Sequence, residues 1–113
     1  GAGLTSTAMD YARFLQMVLD RGATPGGRLL EEATIDTILA DHAPGLVDGD
    51  WYQGLAFGVR KEPEGQGRFF WGGYFNTQGY GDPATGELAL LMKQTYGARN
   101  DSTSSAFSAL LGR

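Results

Sequence analysis

The segment RFFWGGYFNTQGYGDPATGELALLMKQ, residues 68–94, carries the strongest strand and turn signals of the chain. Phe69 and Trp71 alternate with their neighbours, which is the side-chain period of a half-buried strand. The sequence DPATG at 82–86 predicts a turn, because proline presets φ and glycine closes the bend. Leu88 and Leu90 then alternate in the segment that follows. We therefore predict an antiparallel pair of strands joined through this turn.

Two consecutive glycines, Gly72 and Gly73, follow Trp71 in the first of these strands. Glycine within a strand has no side chain to pack. It marks either a β-bulge or a place where a ligand or another backbone approaches closely. The residues themselves leave both interpretations open.

The rest of the chain supplies helices for this sheet. Apolar residues repeat with helical spacing after the capping residue Thr7, and they predict an α-helix over about 8–21. A second helix is predicted over about 31–40, a strand over 55–60, and a last helix capped at 100–101. The predicted fold class is α+β, an antiparallel sheet of at least three strands with helices packed on it.

Composition and charge exclude several classes of protein. The 113 residues fit one domain or part of a larger one, and a net charge of −4 without a run of Lys or Arg argues against nucleic-acid binding. The longest apolar run, residues 88–92, is far too short to span a membrane. Zero cysteines and a single histidine, His42, exclude thiolate and multi-histidine metal sites. For His42 we expect a capping or surface role.

Two parts of the chain, taken in order, resemble a known superfamily. The helix opening GLTSTAMDYARF at 3–14, then WGG at 71–73 and DPATGEL at 82–88, are similar to the serine β-lactamase, penicillin-binding protein and family VIII carboxylesterase superfamily. The resemblance covers nearly the whole chain. It implies that residues 1–113 form the C-terminal segment of a β-lactamase-like domain, without the N-terminal catalytic part.

The resemblance also implies roles for the glycine pair and its neighbours. Trp71, Gly72 and Gly73 fall where that family carries Lys-Thr-Gly on its third strand, so they are expected to bind the substrate. The backbone N–H of Tyr74 is then expected to be one of two oxyanion-hole donors. Because Trp71 cannot hold the carboxylate that the family's lysine and threonine bind, the expected substrate is a small-molecule ester or neutral amide. The implied chemistry needs no metal and no cofactor.

The nucleophile of the family lies in a Ser-x-x-Lys motif, in which the lysine helps to activate the serine. The lysines of this chain are Lys61 and Lys93, and Gly58 and Leu90 stand three positions before them, so the motif is missing. We expect the chain alone to be inactive. Its expected partner is the missing N-terminal portion, and together they would form a serine hydrolase that works through an acyl-enzyme.

A second hypothesis, from a different class, is a stand-alone, non-catalytic binding module that keeps the same sheet. A long parent reading frame with Ser-x-x-Lys upstream would favour the enzyme. On the enzyme hypothesis, the strand near 55–60 or its neighbour is expected to present an unpaired edge. The apolar faces around Phe69, Trp71 and Leu90 would lose part of their cover. Self-association of the isolated chain is the expected consequence.

Overall fold

The computed structural model describes residues 3–62, 67–97 and 102–111. Within these ranges the chain forms three α-helices, a two-stranded hairpin and a five-stranded antiparallel sheet, which confirms the predicted α+β class. In chain order the elements are α1 (Ala8–Leu19), β1 (Ala23–Thr24), β2 (Gly27–Arg28), α2 (Glu32–Leu39), β3 (Trp51–Gln53), β4 (Gly58–Arg60), β5 (Phe69–Gly72), β6 (Gln78–Asp82), β7 (Glu87–Leu91) and α3 (Thr103–Leu110).

Helix α1 begins after Thr7, as the capping pattern predicts. The Thr7 hydroxyl oxygen accepts a 3.1 Å hydrogen bond from the amide of Asp10, which satisfies one unpaired donor of the first turn. The helix ends at Leu19, slightly earlier than predicted. Arg21 has a φ of 53° and Gly22 a φ of 91°, so the chain leaves the helix through a left-handed turn.

The hairpin of β1 and β2 connects the first two helices. Arg21 joins the end of α1 to α2, because its guanidinium lies 2.9 Å from the Asp36 carboxylate and 3.3 Å from that of Glu32. The hydrogen bonds to Asp36 and then to Glu32 raise the pKa of Arg21. Since all three side chains are exposed, this network contributes little to stability.

The five strands of the main sheet follow one another in chain order, each antiparallel to its neighbour. An antiparallel pair is indeed joined through the 82–86 turn, but its first strand is β6 and not the strand that carries Phe69 and Trp71. Strand β6 lies between β5 and β7 and pairs with both. The β6 sequence, QGYGD, lacks the alternating apolar side chains that mark a strand. The turn itself is confirmed, since the Gly86 amide donates to the Asp82 carbonyl at 2.8 Å.

The glycines of β6 let other groups lie directly on the sheet. A Cβ on Gly81 would stand 2.2 Å from Cζ of Phe69, and one on Gly79 would stand 3.3 Å from side-chain atoms of Tyr11 and Leu15. A larger residue at Gly81 would therefore collide with the Phe69 ring. The glycines of β6 thus explain both observations: the sequence of β6 lacks a strand signal, and other groups pack closely on its backbone.

The predicted strand over 55–60 is shorter than expected. Strand β4 starts at Gly58, and Leu55 is 61% exposed in the bend before it. The segment ahead of the bend forms the outer strand β3, which pairs with β4. Strands β3 and β4 therefore form a short hairpin in place of one long strand.

The core lies between the sheet and helices α1 and α2. Its buried side chains are Leu15, Met17, Val18, Ile35, Leu39, Phe57, Val59 and Phe69. Phe69 is 0% exposed, and its ring centroid lies 4.9 Å from that of Phe57. The expectation that the face around Phe69 loses its cover is therefore wrong, because these helices close over it.

Helix α3 covers part of the opposite face of the sheet. Phe107 packs on Tyr80 with ring centroids 5.9 Å apart, and the Tyr80 hydroxyl lies 3.3 Å from Oγ of Ser108. The chain enters α3 from Ser102, whose side chain makes no capping hydrogen bond. The caps predicted at 100–101 lie outside the described residues. No helix in the described ranges has the length and apolar character needed to cross a membrane.

Candidate functional site

Strand β5 is paired along its whole length on one side and along only part of its length on the other. It pairs with β6 at all four positions, 69–72. Its pairing with β4 covers Phe69 and Phe70 and stops there. Within the described part of the chain, the backbone of residues 71–72 therefore has a strand on one side only. We call this unpaired stretch the open edge.

The glycine pair is not a β-bulge in the ladder between β5 and β6. Gly72 lies opposite Gln78 in the same register as the residues before it. Crowding does not require glycine there either, because the atom nearest to an added Cβ at Gly72 is the Thr77 carbonyl oxygen at 3.9 Å. The residue is exposed. At Gly73 an added Cβ would stand 3.2 Å from Cβ of Thr77, so the turn itself favours a small residue there. The space at Gly72 leaves room for another group to approach.

Trp71 lies beside the open edge. It stands opposite Gly79, on the face of β5 that also carries Phe69, and that face is the one covered by α1. Unlike Phe69 it lies beyond the core, and it is 46% exposed. Trp71, for which the family resemblance implies substrate binding, thus has an accessible apolar side chain.

The residues after β5 form a tight turn that is tied to the segment following β7. The Gly73 amide donates to the Thr77 carbonyl at 2.7 Å, and Asn76 adopts a φ of 66°. Nδ2 of Asn76 donates to the Thr95 carbonyl at 2.6 Å, and the Thr95 amide donates to the Phe75 carbonyl at 3.1 Å. These hydrogen bonds hold the turn in one position.

The amide of Tyr74 takes no part in this network. Among residues 3–62, 67–97 and 102–111, it donates to no backbone carbonyl and to no side-chain oxygen. A backbone N–H rarely stays unpaired, so water or a ligand has to satisfy it. It belongs to the residue that follows the glycine pair, close to the open edge.

Three aromatic rings surround this turn, and we call them the aromatic cluster: Tyr74, Phe75 and Tyr96. Ring centroids are 5.3 Å apart for Tyr74 and Phe75, 5.1 Å for Tyr74 and Tyr96, and 6.4 Å for Phe75 and Tyr96. Tyr74 is 62% exposed and Tyr96 is 68% exposed. A side-chain hydrogen bond with Tyr96, and secondarily desolvation, raises the pKa of Tyr74. The cluster is thus an exposed aromatic surface that includes the residue carrying the candidate amide.

Two further groups of polar side chains lie on the α3 side of the sheet and at the end of α2. Gln78 lines a shallow pocket on the α3 side of the sheet together with Ser104, Ser105 and Ser108. His42 donates from Nε2 to the Thr37 carbonyl at the end of α2, the capping role that the sequence predicts. In the described ranges, no group of three or more His, Asp or Glu side chains could hold a metal ion.

Comparison with known proteins identifies the family. Residues 1–111 match the Beta-lactamase family model. The chain belongs to the Beta-lactamase family. This match confirms the resemblance to the serine β-lactamase-like superfamily and supports a relation to its serine hydrolases.

Two relatives from Mycobacterium tuberculosis are similar to this Beta-lactamase family chain. They are "Uncharacterized protein MT1414" of strain CDC 1551 and "Protein Rv1367c" of strain H37Rv, each 27% identical over 113 residues. Each alignment covers 83% of this chain and 28% of the relative. The chain therefore spans well under half of the length of the curated relatives it matches.

Sequence reasoning missed several residues that the structure brings to the candidate site, among them Phe75, Asn76 and Tyr96. Asparagine tolerates positive φ better than other residues with a side chain, so an Asn shortly after Gly73 was a usable turn signal. Tyr96 has no comparable signal. Only the tertiary contact with Tyr74 brings it to the site.

Proposed function

We propose that this chain is part of a serine hydrolase of the Beta-lactamase family, an esterase or a related acyl-transfer enzyme. In this proposal Trp71, Gly72 and Gly73 form a wall of the substrate site, and the Tyr74 amide is one donor of the oxyanion hole. The observation that carries the proposal is the Tyr74 N–H, which has no acceptor among the described residues and follows the open edge. Family membership supports acyl transfer as the chemistry.

The role of the Tyr74 amide follows from where charge develops. When a serine attacks an ester carbonyl, the carbonyl oxygen becomes an oxyanion. The bond to the leaving alcohol then breaks, and water later releases the acyl group. A fixed N–H binds the oxyanion more strongly than the neutral carbonyl, and one such donor is worth about 2.7–4 kcal/mol. The bonds from Gly73 to Thr77 and from Thr95 to Phe75 hold the amide in place before the substrate arrives.

The serine, its base and the second donor have to come from outside this sequence, because it contains no Ser-x-x-Lys motif. The chain spans 28% of its curated relatives, which is compatible with a larger protein. We propose that residues 1–113 are the C-terminal segment of the domain. The N-terminal portion would then complete the site across the open edge.

Trp71 favours an uncharged substrate. Its indole offers apolar surface and a single N–H donor, without a positive charge to pair with a carboxylate. A small-molecule ester or neutral amide suits this wall better than a penicillin. In the complete enzyme, kcat/KM for p-nitrophenyl butyrate should therefore exceed kcat/KM for a penicillin.

A proline substitution tests the oxyanion role, because proline lacks the backbone N–H. In the complete protein, Tyr74→Pro should lower kcat for p-nitrophenyl butyrate by about 10²–10³-fold. Tyr74→Ala is the matched control, since it keeps the amide and loses only the ring. Its kcat should fall by less than about tenfold.

Melting temperatures of both variants separate a lost donor from a lost fold. A Tyr74→Pro enzyme with wild-type kcat and an unchanged melting temperature would refute the oxyanion role. If the complete protein shows no turnover and no labelling by a serine-directed fluorophosphonate probe, the non-catalytic binding module becomes the better hypothesis.

A further inference from the structure

Packing among residues 3–62, 67–97 and 102–111 does not account for the aromatic cluster. Tyr74 and Tyr96 keep more than half of their surface exposed, although their rings are in contact. Rings that serve the core, such as Phe57 and Phe69, are covered on all sides. Contiguous exposed aromatic rings are the kind of surface that binds another molecule.

The cluster and the proposed donor amide form one unit. Tyr74 supplies both the N–H and one of the rings. Tyr96 follows Thr95, whose amide and carbonyl are bonded to Phe75 and Asn76 of the turn. A carbonyl oxygen bound to the Tyr74 amide would therefore lie next to the residue that also belongs to the cluster. Trp71 precedes this residue and lies on β5.

The chemistry of the cluster determines which ligand groups it can bind. Phe75 has no ionisable group, and the hydrogen bond to Tyr96 raises the pKa of Tyr74. The two tyrosine rings are tilted by 31° with centroids 5.1 Å apart. Aromatic rings prefer edge-to-face or offset-stacked contacts with other aromatic rings. A flat, uncharged group is the partner that suits this surface.

We propose that the aromatic cluster binds a planar aromatic group of the substrate. In this role Tyr96 is a specificity-determining residue and takes no part in the bond-breaking steps. The inference rests on the proposed function, because it requires the substrate carbonyl at the Tyr74 amide.

The test compares aromatic with alkyl esters in the complete protein. One pair, p-nitrophenyl benzoate and p-nitrophenyl butyrate, varies the acyl group. The other pair, phenyl butyrate and ethyl butyrate, varies the alcohol. Relative to wild type, Tyr96→Ala should lower the aromatic-over-alkyl ratio of kcat/KM in one of the pairs by about three- to tenfold. The pair that responds shows which part of the substrate the cluster holds.

Three further variants sharpen the result. Tyr96→Phe keeps the ring and should retain the wild-type ratios. Tyr96→Leu keeps apolar bulk without the aromatic face, and it repeats the test if the alanine variant is unstable. Leu46→Ala removes an exposed apolar side chain from the loop between α2 and β3, and it should leave both ratios unchanged.

One outcome overturns the inference while ester hydrolysis is intact: both ratios stay at wild-type values in Tyr96→Ala and Tyr96→Leu. If the melting temperature of these variants falls at the same time, the cluster is a packing contact. A complete protein that hydrolyses none of the four esters would instead refute the proposed function, and the inference with it.

Discussion

Phe69 lies against the backbone of Gly81 with no room between them. A Cβ on Gly81 would stand 2.2 Å from Cζ of the ring and 2.7 Å from Cε1. The ring cannot move aside easily, because Phe57 packs against it and Phe69 is fully buried. This contact lets the rest of the core close over the sheet, so a single methyl group at Gly81 is expected to disturb it.

The Gly81→Ala substitution should therefore lower the free energy of unfolding by about 1–3 kcal/mol, the usual effect of overpacking a core. Gly26→Ala is the matched control, because its Cβ would meet only Oγ1 of Thr24, at 3.9 Å. We expect that control to change stability by less than about 0.5 kcal/mol. Urea unfolding of both variants measures the difference. Equal effects of the two substitutions would show that the Phe69 ring yields to the methyl group.

Local signals were sufficient for some elements and insufficient for others. Helix α1 was predictable because its apolar stripe and its Thr7 cap both lie within the element. The 82–86 turn was predictable for the same reason, since Asp82 accepts from both Ala84 and Gly86. Strand β6 was not predictable, because its glycines are explained by Phe69 and α1, which lie elsewhere in the sequence.

The candidate site shows the same division. Trp71, Gly72, Gly73 and Tyr74 were found from the sequence through a family resemblance, and their catalytic roles stay predictions. The open edge was not found, because it depends on where β4 begins. Leu55 leaves the sheet, so β4 is too short to pair with the end of β5. Such a mismatch in strand length is a tertiary property without a local signature.

The cap of α1 provides a prediction for one element. Replacing Thr7 by Ala removes the hydroxyl oxygen that accepts from the Asp10 amide, so stability should fall by about 1 kcal/mol. Thr5→Ala, also exposed but ahead of the cap, is the control and should have little effect. Urea unfolding distinguishes them. A Thr7→Ala protein as stable as Thr5→Ala would mean that water replaces the cap without loss.

Across the whole molecule, the two faces and two edges of the sheet are unequally protected. Strands β3 and β7 are the outer strands of the described sheet, so the edge expected near 55–60 belongs to its neighbour β3. Strand β4 is paired on both sides. Trp71 and Tyr74 add accessible apolar surface near the open edge.

Unpaired strand edges and apolar surface favour pairing with another chain. We therefore expect the isolated 113-residue chain to self-associate, with a sedimentation coefficient that rises with concentration. Sedimentation velocity at several concentrations measures this directly. A monomer at every concentration, with a cooperative melt and no binding of a hydrophobic dye, would contradict it and would favour the independent module.

The two hydrogen bonds of Thr95 also bear on where the chain can be altered by protein engineers. They connect the turn around Tyr74 to the segment that leads towards α3. An epitope tag or a fused reporter inserted at 93–97 is therefore expected to displace the proposed donor amide. The exposed loop over 43–49, with Gly45 and Gly49 in left-handed conformations, has no such connection to that turn in the described structure. Exposed loops of this kind accept inserted sequence most readily, and this one is the natural site for a label or a new chain terminus.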